Sequence, residues 1–304
     1  MKIGINGTGL VATADVSRIV EHAAAAQVDG FTSYALAEHP TGGLDALTAL
    51  CLVGQQVPDI ELATAIVPTM PRHPMILASQ ALTVANTMNN PLTLGIGLSH
   101  QVMMAQLGIE FDKPIRHLRE YLSILLPLLT EGEVDYAGES LAASGKFFKK
   151  PTQSVSVVAA ALGPQALAVA GRLCHGTTLA WVGPRTVAEH IVPRISESAA
   201  AAGRLPPRVI ATLPVCVTDN ESEVRETIAQ SLKMYGGLPS YRAMFEREGV
   251  DGPGEVAIVG SAQAVSEGLA KMAEAGVTEF AASEFCLTPA EREQTRACLA
   301  AWSL

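Results

Sequence analysis

Short runs of β-branched and small apolar residues alternate with longer amphipathic segments along the whole chain. Most of the short runs are almost continuously apolar, which is typical of parallel strands covered on both sides. The longer segments carry apolar residues at helical spacing, and several begin at a proline, which suits the first turn of a helix. The pattern predicts eight strands: Lys2–Asn6, Gly30–Leu36, Ile60–Val67, Leu92–Gly97, Val155–Ala161, Gly176–Ala180, Val209–Val217 and Val277–Ala282.

Helices are predicted between these strands, the first of them capped by Thr13. Strand and helix alternating in this way predict an α/β fold, either a (β/α)8 TIM barrel or a doubly wound sheet, and the count of eight favours the barrel. The predicted helices are Asp15–Val28, Pro74–Met88, Pro114–Leu129, Pro164–Cys174, Pro184–Ala202, Glu221–Tyr235 and Ala262–Ala275.

Two gaps between predicted strands are longer than a helix and two loops require: Gly97 to Val155 and Val217 to Val277. Such length predicts insertions, which we expect at about 131–151 and 236–256, in loops at the C-terminal face of the barrel. No linker or low-complexity tract separates the segments, so we expect one domain over 1–304.

Composition narrows the class of protein. Of the 304 residues, 48% are hydrophobic and 17% charged, enough for a large core. The net charge of −9 argues against nucleic acid or an anionic membrane as a partner. No apolar run reaches the length of about 18 residues expected of a membrane span. The five cysteines are widely spaced, as in reduced thiols, and the start lacks a signal-peptide pattern, so a cytoplasmic protein is expected.

Chemistry in a barrel of this kind sits where strands end and the following loops begin. His39, preceded by Glu38, follows the second predicted strand, and His100 follows the fourth. A neutral imidazole there can donate a hydrogen bond or relay a proton near neutral pH. No histidine- or carboxylate-rich motif predicts a metal site. The histidines within predicted helices are expected to be solvated: His22, His117 and His190.

Glycines and lysines supply weaker signals. Gly95 and Gly97 point to the same face of one strand, which indicates the close approach of either a flat ligand or another backbone. Gly163, just before a predicted helix, suits either an anion at the helix N-terminus or an ordinary turn. The loop GKFFKKP holds Lys146, Lys149 and Lys150; it is either simply solvated or guides an anionic substrate.

Several of these stretches together resemble the luciferase-like flavin and deazaflavin oxidoreductases. They include GFTSYALAEH, LTLGIGLSH and AALGPQALAVAGRLCHGT, and they extend from Lys2 to about Phe280. The chain is most similar to the actinobacterial branch that uses 8-hydroxy-5-deazaflavin, coenzyme F420. The resemblance implies a (β/α)8 barrel with the tricyclic ring of F420, or alternatively of FMN, across the C-terminal strand ends.

The resemblance also implies roles for particular residues. His39 matches a catalytic histidine of similar sugar-phosphate dehydrogenases, whereas His100 stands where those enzymes carry a glutamate, and we expect both to be catalytic. A bulge with a non-proline cis peptide is implied at Thr64–Ala65. Cofactor contacts are implied for His39, Thr64, Ala65, Gly97, Leu98, Ser99, Leu162, Gly163, Thr177 and Thr178, and substrate contacts are expected for Trp181, Lys146 and Lys149.

These inferences lead to three hypotheses on function. The first is an F420H2-dependent reductase that transfers hydride to an activated C=C or C=N bond of a small organic substrate. The second is an FMN-dependent monooxygenase of the same architecture. The third is a barrel that binds flavin or deazaflavin without turnover. The oligomeric state stays open, a homodimer included.

Overall fold

Eight parallel strands close into a ring in the computed structural model, which describes residues 1–303. Each strand pairs with its neighbour in chain order, and the last pairs with the first, with Lys2 opposite Glu279. The (β/α)8 barrel is thereby confirmed, as are all eight expected strands, with some bounds shifted by a few residues. The barrel strands are β1 (Lys2–Asn6), β2 (Ser33–Leu36), β3 (Glu61–Thr64), β4 (Leu92–Gly97), β5 (Val155–Ala160), β6 (Gly176–Ala180), β7 (Arg208–Thr212) and β8 (Glu279–Glu284).

The helices pack around this ring. Asp15, not Thr13, caps the first helix, because its carboxylate accepts hydrogen bonds from the amides of Ser17 and Arg18. The sequence pattern did not reveal Ala46–Gly54, which is apolar almost all round, or the last helix, Pro289–Ser303. The helices are Val16–Val28, Ala46–Gly54, Pro74–Thr87, Gln101–Gln106, Pro114–Thr130, Pro164–Leu173, Pro184–Thr186, Val192–Ala201, Glu221–Ser231, Lys233–Gly237, Pro239–Glu248, Pro253–Val256, Ala262–Glu274 and Pro289–Ser303, with a 3-10 turn at Thr8–Thr13 and a π turn at Val187–Ile191.

Short strands extend the sheet beyond the eight-membered ring. Val67–Pro68 pairs with β4, and Pro214–Val217 lies between β8 and a further strand, Ile258–Gly260. None of the described helices is both long enough and apolar enough to span a membrane.

The strand starts are closed by a cluster of partly buried, ion-paired side chains. The Arg208 guanidinium lies 2.6 Å from the Glu61 carboxylate and 2.6 Å from that of Glu279, and it also donates to Thr93. The three charged residues stand at or near the starts of β7, β3 and β8. They fill this end of the barrel, so a ligand has access from the other end, where the strands finish.

The end of β3 bends at a bulge against β4. The cis peptide bond joins Ala65 and Ile66, one bond later than the expected Thr64–Ala65. A side chain added at Gly95 would overlap the carbonyl oxygen of Thr64, and the Thr64 hydroxyl donates to the Gly95 carbonyl over 2.7 Å. Of the two explanations for Gly95, the close approach of another backbone is therefore the one that the structure shows.

The two long gaps hold different structures. The first contains a hairpin, Glu133–Ala137 with Ala142–Lys146, which lies between the helix Pro114–Thr130 and β5. That is a helix-to-strand connection, so the expectation of an insertion in a C-terminal-face loop is wrong for this segment. The second follows β7 and contains the helices Lys233–Gly237 and Pro239–Glu248, which we call the roof.

Candidate active site

His39 and His100 lie at the ends of β2 and β4, both half-buried. Burial lowers the pKa of His39. Burial, followed by the charge of nearby His39, lowers the pKa of His100. Both imidazoles are therefore neutral at pH 7. Neither side chain has a hydrogen-bond partner among residues 1–303, so both are available to a ligand.

Four rings form an aromatic cluster at this end of the barrel: His100, Trp181, Tyr235 and Tyr241. The ring centroid of His100 lies 5.6 Å from that of Tyr241 and 6.4 Å from that of Tyr235. The ring centroid of Tyr235 lies 5.3 Å from that of Tyr241 and 5.7 Å from that of Trp181, and both ring pairs are arranged edge to face. The two tyrosines belong to the roof, which therefore covers the end of β4. Sequence reasoning missed both, although they flank the paired glycines of the second long gap.

Trp181 stands just beyond β6, with φ at 59° and its backbone amide bound to the Thr212 carbonyl. Its indole Nε1–H is fully buried and has no hydrogen-bond partner in the described structure. A buried donor left unpaired costs about 1–3 kcal/mol. The hydroxyls of Tyr235 and Tyr241 likewise make no hydrogen bond to the described residues. Three ring donors of the aromatic cluster therefore have no hydrogen-bond partner in the described structure.

The loop after β5 ends at Gly163, the N-cap of the helix Pro164–Leu173. No side chain caps this helix, and no atom lies within 4 Å of the position that a Gly163 side chain would take. The Leu162 carbonyl accepts a hydrogen bond of 2.8 Å from His190 Nε2, so His190 is a buried support of the loop and not solvated as expected. The positive charges of Arg194 and Arg247 help to lower the pKa of His190, after burial, which has the largest effect. A helix N-terminus without a side-chain cap suits an anion.

The next helix N-terminus, at Pro184, is filled from within the chain. The Glu248 carboxylate accepts hydrogen bonds from the backbone amides of Arg185, at 3.1 Å, and Thr186, at 2.7 Å. A side chain at Gly183 would overlap that carboxylate. Glu248 is the last residue of the roof, so this contact fixes the roof to the barrel.

Other predicted cofactor contacts fall into two groups. Ala65, Leu98 and Ser99 stand at strand ends and are partly exposed. Thr64, Thr177 and Thr178 are buried, and the hydroxyl of Thr177 donates to the Ala159 carbonyl. A side chain at Gly97 would come within 3.0 Å of Ile66 and 3.2 Å of Ala160. The lack of a side chain at Gly97 therefore accommodates neighbouring strands, and Thr177 is committed to the sheet.

Charged groups near the histidines are already paired. Arg72 binds Glu38 at 3.2 Å and Asp45 at 2.8 Å. Burial raises the pKa of Glu38, an effect that Arg72 partly offsets. Lys146 pairs with Glu133 across the hairpin at 2.7 Å, beside the C-terminal end of a helix. The Lys146 side chain is exposed, and its substrate contact and that of neighbouring Lys149 stay predictions.

Two further expectations on histidines are wrong. His22 is bound by Tyr34, at 3.1 Å, and by the buried Glu284 carboxylate, at 2.8 Å. His117 lies 3.1 Å from the Thr69 hydroxyl. Neither is solvated, because each lies on the helix face turned toward the barrel. Within residues 1–303 no three metal-ligating side chains cluster.

Solved structures of low sequence identity share this fold. The coenzyme F420-dependent tetrahydromethanopterin reductase of Methanopyrus kandleri superposes with a TM-score of 0.81 at 20% identity, over 98% of this chain and 96% of that one. The FMN-bound oxygenating constituent of 3,6-diketocamphane monooxygenase from Pseudomonas putida superposes with a TM-score of 0.77 at 16% identity, over 99% of this chain and 96% of that one.

Sequence comparison finds relatives among named proteins. A putative coenzyme F420-dependent oxidoreductase of Mycobacterium tuberculosis is 27% identical over 247 residues, 75% of this chain and 71% of that protein. The 5,10-methylenetetrahydromethanopterin reductase of Methanolobus tindarius is 24% identical over 257 residues, 84% and 78% of the two chains. The sequence model described as luciferase-like monooxygenase matches residues 3–279. The chain therefore belongs to the luciferase-like monooxygenase family.

Proposed function

We propose that this protein is an F420-dependent oxidoreductase, specifically a reductase that uses reduced F420 to transfer hydride to an activated C=C or C=N bond of a small organic acceptor. One observation carries the proposal: two neutral, unpartnered histidines stand at the strand ends, in the same barrel face as the uncapped helix N-terminus at Gly163. Relatives named as a putative F420-dependent oxidoreductase and as F420-dependent glucose-6-phosphate dehydrogenases support it.

The residues around Gly163 fit the cofactor. F420 carries a phosphodiester, and the space beside Gly163 and the uncapped amides of the helix start suit such an anion. Ala65 is small and partly exposed at the end of β3, so it leaves room for a flat ring over the strand ends. Bound reduced F420 supplies hydride and reacts poorly with oxygen.

The chain's own groups would orient the acceptor and deliver a proton. His39 and His100 flank the strand ends, where either imidazole can donate a hydrogen bond to the reacting molecule or pass a proton to it. The roof covers His100 with Tyr235 and Tyr241 and excludes water from this side. The partly buried ion pairs of Arg208 close the other end of the barrel.

A titration of the protein with F420 and FMN, followed by fluorescence, tests the proposal. We expect tighter binding of F420, and binding about tenfold or more weaker in Gly163→Asp, because its carboxylate would compete with the phosphate. Aspartate is a favourable N-cap, so this variant should fold at least as stably as the wild type. Gly163→Ser is the matched control, since it adds a cap without a charge. Tighter binding of FMN, or equal F420 affinity in the aspartate variant, would contradict the proposal.

An FMN-dependent monooxygenase is the second candidate, favoured by the family's description and by a solved neighbour that holds FMN. Oxygen uptake distinguishes the two. The reductase oxidises its reduced cofactor with an organic acceptor under argon, whereas the monooxygenase needs oxygen. A barrel that binds without turnover would show neither reaction.

A further inference from the structure

The aromatic cluster of His100, Trp181, Tyr235 and Tyr241 holds a buried donor that nothing in the described structure uses. We propose that this cluster is the acceptor subsite, and that it takes a flat, uncharged, conjugated carbonyl compound whose oxygen accepts the Trp181 Nε1–H hydrogen bond. The proposal deepens the proposed function, on which it rests for the reaction, but the subsite itself is testable without turnover.

The arrangement of rings favours a flat molecule. Centroid separations of 5.3 to 6.4 Å, with mostly edge-to-face angles, show a preformed group of rings, and such a group suits a further π system. Aromatic side chains lose little conformational entropy when a ligand binds, so a preformed cluster selects for shape.

The buried indole N–H favours a carbonyl. Trp181 is only 8% exposed, and its Nε1 has no partner among the described residues. A ligand oxygen that accepts this hydrogen bond removes the penalty of a buried, unpaired donor. A site that hydrogen-bonds its ligand discriminates strongly against an analogue without the acceptor atom, because the donor is then left unpaired.

The charges favour an uncharged acceptor. His39 and His100 are neutral at pH 7, and Arg72 is held by Glu38 and Asp45, so these groups offer no free cation to a phosphorylated substrate. Val102 and Met234, close in sequence to His100 and Tyr235, are exposed by 51% and 47%. Exposed apolar side chains therefore flank His100 and Tyr235 in the sequence.

Calorimetric titration of the protein without cofactor, using coumarin as the flat conjugated carbonyl probe, tests the subsite. Naphthalene is the flat probe without a carbonyl, and glucose 6-phosphate is the anionic one. The variants are Trp181→Phe, which keeps an aromatic ring but removes the N–H, and Trp302→Phe, the matched control in the last helix.

We expect coumarin to bind more tightly than either other probe. Trp181→Phe should weaken coumarin binding about fivefold to tenfold, as expected for one hydrogen bond, and leave naphthalene binding unchanged. Trp302→Phe should change neither. Equal binding of coumarin and naphthalene, an unchanged coumarin affinity in Trp181→Phe, or tighter glucose 6-phosphate binding would each overturn the subsite. A protein that binds coumarin as expected but not F420 would refute the proposed function and leave the subsite standing.

Discussion

His190 Nε2 lies 2.8 Å from the carbonyl oxygen of Leu162, and this hydrogen bond ties the helix after β6 to the loop after β5. The bond fixes the backbone immediately before Gly163, where the cofactor anion is proposed to bind. Nδ1 of the same ring is buried without a partner, so the imidazole is held by this single contact.

Replacing His190 by leucine should therefore weaken F420 binding. The Leu162 carbonyl loses its donor and the loop loosens, so we expect a roughly tenfold higher Kd, measured by fluorescence titration. His175→Leu is the control: His175 Nδ1 accepts a hydrogen bond of 3.0 Å from the Val157 amide, near the strand starts. Equal losses of F420 affinity in both variants would show that His190 has no particular role in the loop.

Alanine at His39 or His100 should slow the reaction and leave F420 affinity nearly unchanged. Proton delivery by a side chain typically contributes about 10²–10⁴ in rate. Because burial lowers both pKa values, the protonated form is scarce at pH 7.5, and the single-turnover rate should rise as the pH falls toward 6.

That pH dependence should disappear in the variant that removes the proton donor. The measurement is oxidation of reduced F420 by an enone under argon, with His73→Asn as a control that keeps a helix cap. Wild-type rates in both alanine variants would refute proton delivery by either histidine.

Stability should fall when the pH is lowered from 7.5 to 5.5. A histidine whose folded pKa is lowered binds fewer protons in the folded state than in the unfolded state, so its stabilisation is lost as the pH falls below about 6.5. Each such group lowers the free energy of unfolding by at most about 1.4 kcal/mol per pH unit. Urea unfolding at the two pH values checks this, and an unchanged midpoint would contradict it. The histidines with lowered pKa are His39, His100, His117, His175 and His190.

Glu284→Gln should destabilise the fold strongly. The buried Glu284 carboxylate binds His22 and Arg296, and these partners hold its pKa at about 2 against the effect of burial. Removing one member of a buried ion pair typically costs about 3–5 kcal/mol. The control is Glu131→Gln, an exposed partner of Lys150, which should cost under about 1 kcal/mol. Urea denaturation measures the free energy of unfolding of both variants. Similar losses of stability in Glu284→Gln and Glu131→Gln would contradict the prediction.

The barrel could be predicted because each strand is a short apolar run bounded by turn residues. β1, β4 and β6 begin and end where the pattern places them, since the middle of each is buried and made mostly of apolar or β-branched residues. Ala46–Gly54 was missed because a short helix that is apolar on most sides has no clear periodicity.

The candidate site could be predicted only in part. His39 and His100 follow from the rule that chemistry gathers where strands end, which needs only local sequence. Tyr235 and Tyr241 reach His100 from a segment more than 130 positions away, and no local pattern reports such a contact. The substrate contacts of Lys146 and Lys149 stay predictions, because residue spacing does not show how the hairpin that ends at Lys146 lies on the barrel.

Glu248 attaches the roof to main-chain amides and to no particular side chain of the barrel. Every residue type but proline carries that amide, so this contact of Glu248 places no demand on the side chain of residue 185, while the missing side chain of Gly183 leaves room for the carboxylate. Thr186 adds one side-chain contact, because its hydroxyl donates to the Met244 carbonyl of the roof over 3.3 Å. A different roof segment that carries a carboxylate at the position of Glu248 would bind the same two backbone amides. Acceptor preference can therefore diverge by exchange of a single contiguous stretch, while the strand ends that hold the cofactor stay as they are.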